Sequence, residues 1–504
     1  MNKIAETFPP TLNPSPTRGE GTSVLTNNSP PSEGCPLGRG GSSAITPEDH
    51  PVRLGRPPLQ ERGINMEYPS VLQTSQIKSA LAFLEGSQSS SNQPFPGSFV
   101  CCLNQSNGSH KDDWTVFNTA LTVQRLNQLL SKAPFNYSVL GGESLPVMIQ
   151  SASSFLNHSQ HNIPAGSFSF WPLGNQYQAK PDLDDTALAL SAVHADFYKL
   201  DAYGVEVLPH TPTISHECSP REIEREDLKN KAWELFSPYR YSRGMTLAMQ
   251  SHWAEAYPGV FSTWIFQEPS SKNIDVSRIN EMSSDTRREQ HSNKVEDRQL
   301  INYGNGYNEP VVIDAIALAH ICHYLLDIGS TDIPGLGESL TLLSKLLSHC
   351  SDRIQSTASL KEVMQSLPLA QWMPYYRSLP HFLSACAALS PLQVSSHYLS
   401  PKIATIHEKV SALLVQSLED DFSNDFTSQL WLWDAAVHCN LTLSSKDLSD
   451  LAVLQQADGG WPEIEICTDL QGDWRWTSRT VSTAIALNLL SQHNGAEKIS
   501  IFNE

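Results

Sequence analysis

The sequence predicts an all-α fold, an α/α toroid of about six helical hairpins closed into a ring. Three observations carry this. A unit of some tens of residues recurs along the body, helix-period segments alternate between two compositions, and one of those compositions is rich in small residues. Residues 83–99 read FLEGSQSSSNQPFPGSF and residues 155–168 read FLNHSQHNIPAGSF. Both show Phe-Leu-x-x-Ser-Gln, a polar loop with proline, then Gly-Ser-Phe. An apolar helix-like stretch follows each, WTVFNTALTVQRL from Trp114 and DLDDTALALSAV from Asp182. A third copy has GVF at 259–261, a polar insertion, then PVVIDAIALAHICHYLL from Pro310. A last copy has LQQADGGW ending at Trp461, then TVSTAIALNLL from Thr480. Self-similarity at this period marks stacked units that cannot bury their faces alone.

The helical segments divide into two sets. Inner helices are expected near 114–129, 183–197, 310–326, 378–390, 428–440 and 477–490. Outer helices are expected near 76–88, 147–158, 228–251, 338–350, 404–418 and 446–456. The inner set is Ala-rich (TALAL, AIALA, SACAAL, DAAV, TAIAL), and small side chains let helices crowd around an axis. The outer set is more amphipathic, as a solvent-facing ring requires. Residues 66–504 make up this domain. The stretch 267–309 is polar and aperiodic and reads as a mobile insertion.

Residues 1–65 differ. They hold 11 of the 33 prolines and a single aromatic, Phe8. Such a segment cannot bury enough apolar surface to offset its chain entropy, so it reads as disordered. TLNPSPTRGEG and PPSEGCPLGRGG resemble translated bacterial intergenic repeat sequence, which suggests Met66 as the native start. A genuine flexible tail is the alternative.

Composition bounds the function. The 504 residues carry 34 Lys+Arg against 53 Asp+Glu, a net charge of −19. An acidic surface repels phosphate backbones and argues against a nucleic-acid partner. No run approaches the ~18–20 apolar residues of a membrane span, although peripheral membrane contact stays open. The nine cysteines show no framework spacing and read as reduced thiols, which points to the cytoplasm.

The Gln–Gly–aromatic unit followed by Thr-Ala-hydrophobic-Ala-Leu resembles the prenyltransferase and squalene-oxidase repeat, which builds terpenoid cyclases and protein prenyltransferase β subunits. Gln456-Ala-Asp-Gly459-Gly460-Trp461 is similar to the QW motif of squalene-hopene and oxidosqualene cyclases. Asp182-Leu183-Asp184-Asp185 is similar to the DxDD motif of class II, protonation-initiated terpene cyclases. The resemblance covers nearly all of 76–490. It implies protonation-initiated cyclisation of a linear isoprenoid, with Asp184 as general acid and Asp182 and Asp185 as its electrostatic neighbours. Crowded buried carboxyls cannot all ionise, so the chemistry agrees. The same run also reads as an ordinary helix start with Asp182 as N-cap. Known class II cyclases are longer and place this motif between two helical domains, a point where the present chain departs.

A cyclase also needs π faces, which stabilise carbocations without trapping them. Phe170, Trp171, Trp474, Trp476 and Tyr376 are the candidates for a substrate pocket, and Arg479 for an anionic head group. Phe99, Phe168, Phe261 and Trp461 read instead as packing between hairpins. No metal site is assigned. His210, His216 and Cys218, and His320, Cys322 and His323, are ligand types without paired spacing, and Asp420–Asp425 reads as a solvated loop. No cofactor is identified, though Mg2+ would accompany a diphosphate substrate. Two rival readings remain: a non-catalytic toroid that binds an isoprenoid or a protein, and a carbohydrate-active toroid using paired carboxylates.

Overall fold

A computed structural model describes residues 70–132, 144–162, 164–175, 179–199, 220–241, 247, 254–265, 311–356, 369–389, 398–419, 425–470 and 472–501. The chain divides after Met66 into two units. The N-terminal segment and the insertion at 267–309 both lie outside the described residues.

The all-α expectation is wrong. Among the described residues the chain carries two antiparallel sheets, one of four strands and one of two. The strands are β1 (Val100–Gln105), β2 (His110–Trp114), β3 (His161–Asn162), β4 (Ala165–Ser167), β5 (Ile464–Thr468) and β6 (Trp474–Ser478). They grow from the segments that join an outer helix to the next inner one. In the first, residues 100–103 alternate half-buried and buried, and Asn107-Gly108 supplies a tight turn with Gly108 at φ +83°. The larger sheet runs β2-β1-β6-β5, so β1 pairs with β6 from the far end of the chain, Cys102 opposite Thr477. A strand completed by so distant a partner leaves little trace in local periodicity.

Among the described residues, twelve helices of two turns or more accompany the sheets. They are α1 (Ser70–Ser87), α2 (Val116–Lys132), α3 (Ser144–His158), α4 (Leu183–Lys199), α5 (Pro220–Phe236) and α6 (Ala315–Asp327), then α7 (Leu336–Ser356), α8 (Leu379–Ala387), α9 (Ser400–Glu419), α10 (Phe426–His438), α11 (Ser445–Val453) and α12 (Arg479–Ile501). Each even-numbered helix packs on the next even one, and α12 packs back on α2. These are the Ala-rich segments. Helix α6 shows why: eleven of its thirteen residues are buried, on all sides of the helix. The odd helices lie against them, α1 on α12, α3 on α2 and α4, α7 on α6, α9 on α8 and α10. Helix α5 stops at Phe236, short of the expected 251.

The repeat signature has a physical explanation. The aromatic residues Phe99, Phe168 and Trp461 are fully buried. Each donates its backbone N–H to a threonine hydroxyl on the following helix: Thr119 at 3.1 Å, Thr186 at 2.9 Å and Thr483 at 3.1 Å. The Gly-aromatic loops then dock on the next odd helix. Gln88 donates to Gly97 O and Met148 O, and Gln455 donates to Gly459 O and Gln76 O. The bridging amide of the last copy is therefore Gln455 rather than Gln456. Gly459 holds φ +94°, and a Cβ there would lie 2.1 Å from Ser79 O on α1. Gly459→Ala combines a disfavoured left-handed backbone with a backbone clash, and is expected to cost about 2–4 kcal/mol in urea unfolding. A cost below ~0.5 kcal/mol would show that this loop does not depend on close approach to α1.

Candidate functional site

Backbone hydrogen bonds lace the starts of the even helices together. Val116 N–H donates to Phe170 O (2.9 Å), Asp182 N–H to Phe168 O (2.9 Å), Leu183 N–H to Thr263 O (2.8 Å) and Thr263 N–H to Val312 O (2.8 Å). Farther round, Thr468 N–H donates to Tyr375 O at 2.6 Å. The first turns of α2, α4 and α6 thus share one region with the Tyr375–Tyr376 segment, and the candidate acids sit at the start of α4.

All three acids are buried. Asp182 is a helix cap, its Oδ1 accepting the Asp185 N–H at 2.6 Å. That ordinary role accounts for one acid of the three. Asp184 is 3% exposed. His320 Nδ1 on α6 lies 2.7 Å from its Oδ1, and the Tyr376 hydroxyl donates to its Oδ2. Asp185 is equally buried, and its Oδ1 has no hydrogen-bond partner.

Burial dominates the electrostatics. It raises the Asp184 pKa well above the usual carboxylate range. Burial also raises Asp182, with the neighbouring Asp185 and Asp184 charges adding to it. Asp185 is pushed up to about 7, mainly by burial. His320 is pushed down to about 3 by burial and then by the Arg125 charge. With a neutral imidazole, the Asp184–His320 contact is a hydrogen bond rather than an ion pair. Burial thus favours the neutral carboxylic acid at Asp184, held between two uncharged partners.

Asp314 joins this group. It N-caps α6, accepting from Ile316 N–H (2.8 Å) and Ala317 N–H (3.3 Å), and its Oδ2 accepts the Tyr375 N–H at 3.1 Å. One carboxyl thereby ties α6, which carries His320, to the segment that carries Tyr376. Burial pushes Asp314 up to about 8.

Aromatic rings flank the acid. Phe117 on α2 lies 5.6 Å from the Tyr376 ring, 6.5 Å from His320 and 6.0 Å from Phe170. Phe170 meets Trp171 edge-on at 5.0 Å and Trp476 at 4.9 Å, and Trp474 lies 6.1 Å from Trp476. The expected residues Phe170, Trp171, Trp474, Trp476 and Tyr376 therefore form one connected aromatic set with Asp184. On the other side His381 stacks on Trp431 at 3.9 Å and lies 6.0 Å from His320. Arg479 is engaged elsewhere. Its guanidinium makes two 2.8 Å hydrogen bonds to Asp458 and lies over the Phe83 ring.

Sequence reasoning did not place Phe117, Asp314 or His381 in the site, and weighed His320 only as a metal ligand. Asp314 left a signal: a lone acid inside the apolar run PVVIDAIALA. Among the described residues, no group of three or more His, Cys, Asp or Glu side chains is arranged to hold a metal ion. His210, His216, Cys218 and Asp420–Asn424 lie outside the described residues, while Asp425 caps α10. No described helix is long and apolar enough to cross a membrane.

These shifts predict a pH dependence. An unfolded aspartate titrates near ~3.9. Groups held above that value give stability that is complete below about pH 4 and lost as pH rises through the folded values. Buried histidines act oppositely: His320, shifted to about 3, and His194, to about 4, are unprotonated in the fold. An unfolded imidazole still gives up about half a proton above ~6.5, so each offsets only about 0.4 kcal/mol from there to pH 8. From pH 6.5 to 8 the urea midpoint is therefore expected to fall, with each of Asp185 and Asp314 contributing up to about 1.4 kcal/mol per pH unit. Asp314→Asn should flatten the profile. A midpoint that rises over this window contradicts the assignment.

No protein-family model matches the chain, and no curated protein matches it.

Proposed function

We propose that the protein is a terpenoid-cyclase-like enzyme that protonates and cyclises a linear isoprenoid, with Asp184 as the general acid. The observation that carries this reading is a buried carboxyl held neutral between His320 and Tyr376, beside a connected run of aromatic rings. Protonating an alkene demands a neutral acid in a water-poor setting. The Asp184 O–H bond breaks, the alkene π pair takes the proton as a new C–H bond, and a carbocation and a carboxylate remain. A later C–H bond gives its electron pair back to the cation and its proton to a base, so the overall change is an isomerisation. Tyr376 and His320 receive the new carboxylate with hydrogen bonds already in place, which lowers the cost of the charge that develops. Burial discourages early ionisation of Asp184, and an Asp184 carboxylate would in turn raise Asp182 and Asp185 beside it.

A carbohydrate-active site would surround its acids with polar groups that match sugar hydroxyls, and the rings around Asp184 favour an apolar substrate instead. The test incubates the full chain with linear isoprenoids, as hydrocarbons and as diphosphates with and without Mg2+, and identifies products by mass spectrometry. Cyclised product that depends on Asp184 supports the reading. Absence of any product across the panel, or product that persists without Asp184, overturns it.

A further inference from the structure

One buried acid beside this site is not used by the mechanism above. Asp113 lies on β2, and its Oδ2 accepts both the Trp171 indole N–H at 3.0 Å and the Trp476 indole N–H at 2.9 Å. Its Oδ1 accepts the Trp114 backbone N–H at 3.0 Å. Trp171 comes from the loop before α4 and Trp476 from β6, so a single carboxyl fixes two rings brought from distant parts of the chain. The two indoles lie 5.9 Å apart at 68°, and both meet Phe170 at near-perpendicular angles.

We infer that Asp113 is a positioning residue that orients Trp171 and Trp476 and, through their N–H groups, makes this aromatic cluster a site for an organic cation. The physical argument has two parts. A charge-assisted hydrogen bond is roughly twice as strong as a neutral one, so two indoles on one oxygen are held in fixed orientation. An N–H drawn toward a carboxylate also leaves more electron density on its ring, and an indole face attracts cations by its negative quadrupole. Phe170, Trp171 and Trp474 are half-buried and Trp476 is buried, so the cluster reaches from the interior to the surface. In a protein whose apolar pocket needed only bulk, the indole N–H groups could point to any acceptor. Here both turn to the same acid.

The inference rests on the cyclase reading for the identity of the natural cation, the carbocation formed by protonation. Its test does not need turnover. Binding of an n-alkyl trimethylammonium, kept below its micelle concentration, is compared with binding of the neutral isostere ending in a tert-butyl group. The full chain is used, followed by tryptophan fluorescence and calorimetry. The wild type is expected to prefer the ammonium. Asp113→Asn keeps the size of the side chain and removes its charge. It should weaken ammonium binding by roughly 5- to 30-fold and leave the isostere within about twofold. Equal weakening of both probes would reduce Asp113 to a structural part and overturn the inference, as would unchanged ammonium binding. Should the variant fail to fold, the wild-type comparison decides, and no preference for the ammonium overturns the proposal. A cation preference without any cyclised product would remove the cyclase reading and leave this inference standing.

Discussion

Replacement of Asp184 by asparagine is expected to lower product formation by a factor of 10² to 10⁴, the range that a positioned general acid contributes. The substitution is close to isosteric. An asparagine carbonyl can still accept the Tyr376 O–H, and its amide can donate to His320 Nδ1 once the neutral imidazole moves its proton from Nδ1 to Nε2. The fold should therefore survive, and removing an acid that burial disfavours can even raise stability near pH 7. The amide cannot deliver a proton to carbon, so the loss should fall on turnover while substrate affinity stays near the wild-type value. Two controls sharpen the result. Tyr376→Phe removes the donor to the nascent carboxylate but leaves the acid, and should cost about 10- to 100-fold, less than the loss of the acid itself. Asp182→Asn keeps the cap on α4, so its effect should be smaller again. Turnover by Asp184→Asn within about tenfold of the wild type would exclude the assigned role.

The order of helices was legible because it depends on local composition. Small residues recur where helices crowd, and the Gly-aromatic units recur because each aromatic N–H needs the hydroxyl of Thr119, Thr186 or Thr483. The sheets were not legible, since β1 takes its second partner from β6 and no window of sequence contains both. The site divides along the same line. The acids of α4 stood out as a motif, and the tryptophans as bulky apolar residues beside it. Aligning Thr119-Ala120-Leu121 with Thr186-Ala187-Leu188 sets Phe117 opposite Asp184, one repeat earlier. Because α2 and α4 are neighbours, repeat-equivalent positions fall on adjoining helices, and Phe117 comes to lie among the rings of His320 and Tyr376, the two partners of Asp184. His320 and Asp314 share one segment, Tyr376 comes from another and Asp184 from a third, and what unites them is hydrogen-bond geometry.

The second large effect concerns Arg125, which lies two turns beyond Phe117 on α2. Its Nη2 meets Asp434 of α10 at 2.8 Å, with the two side chains 5% and 1% exposed, and its Nη1 lies 2.8 Å from His438 Nε2. Helices α2 and α10 are not successive members of the even-numbered series, so this ion pair spans between them. Arg125→Met leaves Asp434 buried with the Ser384 hydroxyl as its donor and His438 Nε2 3.9 Å away, and is expected to cost about 3–5 kcal/mol in urea unfolding. The double variant Arg125→Met/Asp434→Leu removes the stranded charge and should recover most of that loss. A double variant as unstable as the sum of its single changes would show that the pair matters for shape rather than charge. The consequence reaches the acid. Arg125 is one of the forces that keep His320 unprotonated. Without it the imidazole should titrate at a higher pH, measurable from its ring proton resonances in the double variant. A protonated His320 would stabilise Asp184 as the anion and remove the proton the reaction needs. Product formation in that variant is therefore expected to fall as pH decreases, at pH values where the wild type stays active. An unmoved His320 titration would confine Arg125 to holding the helices together.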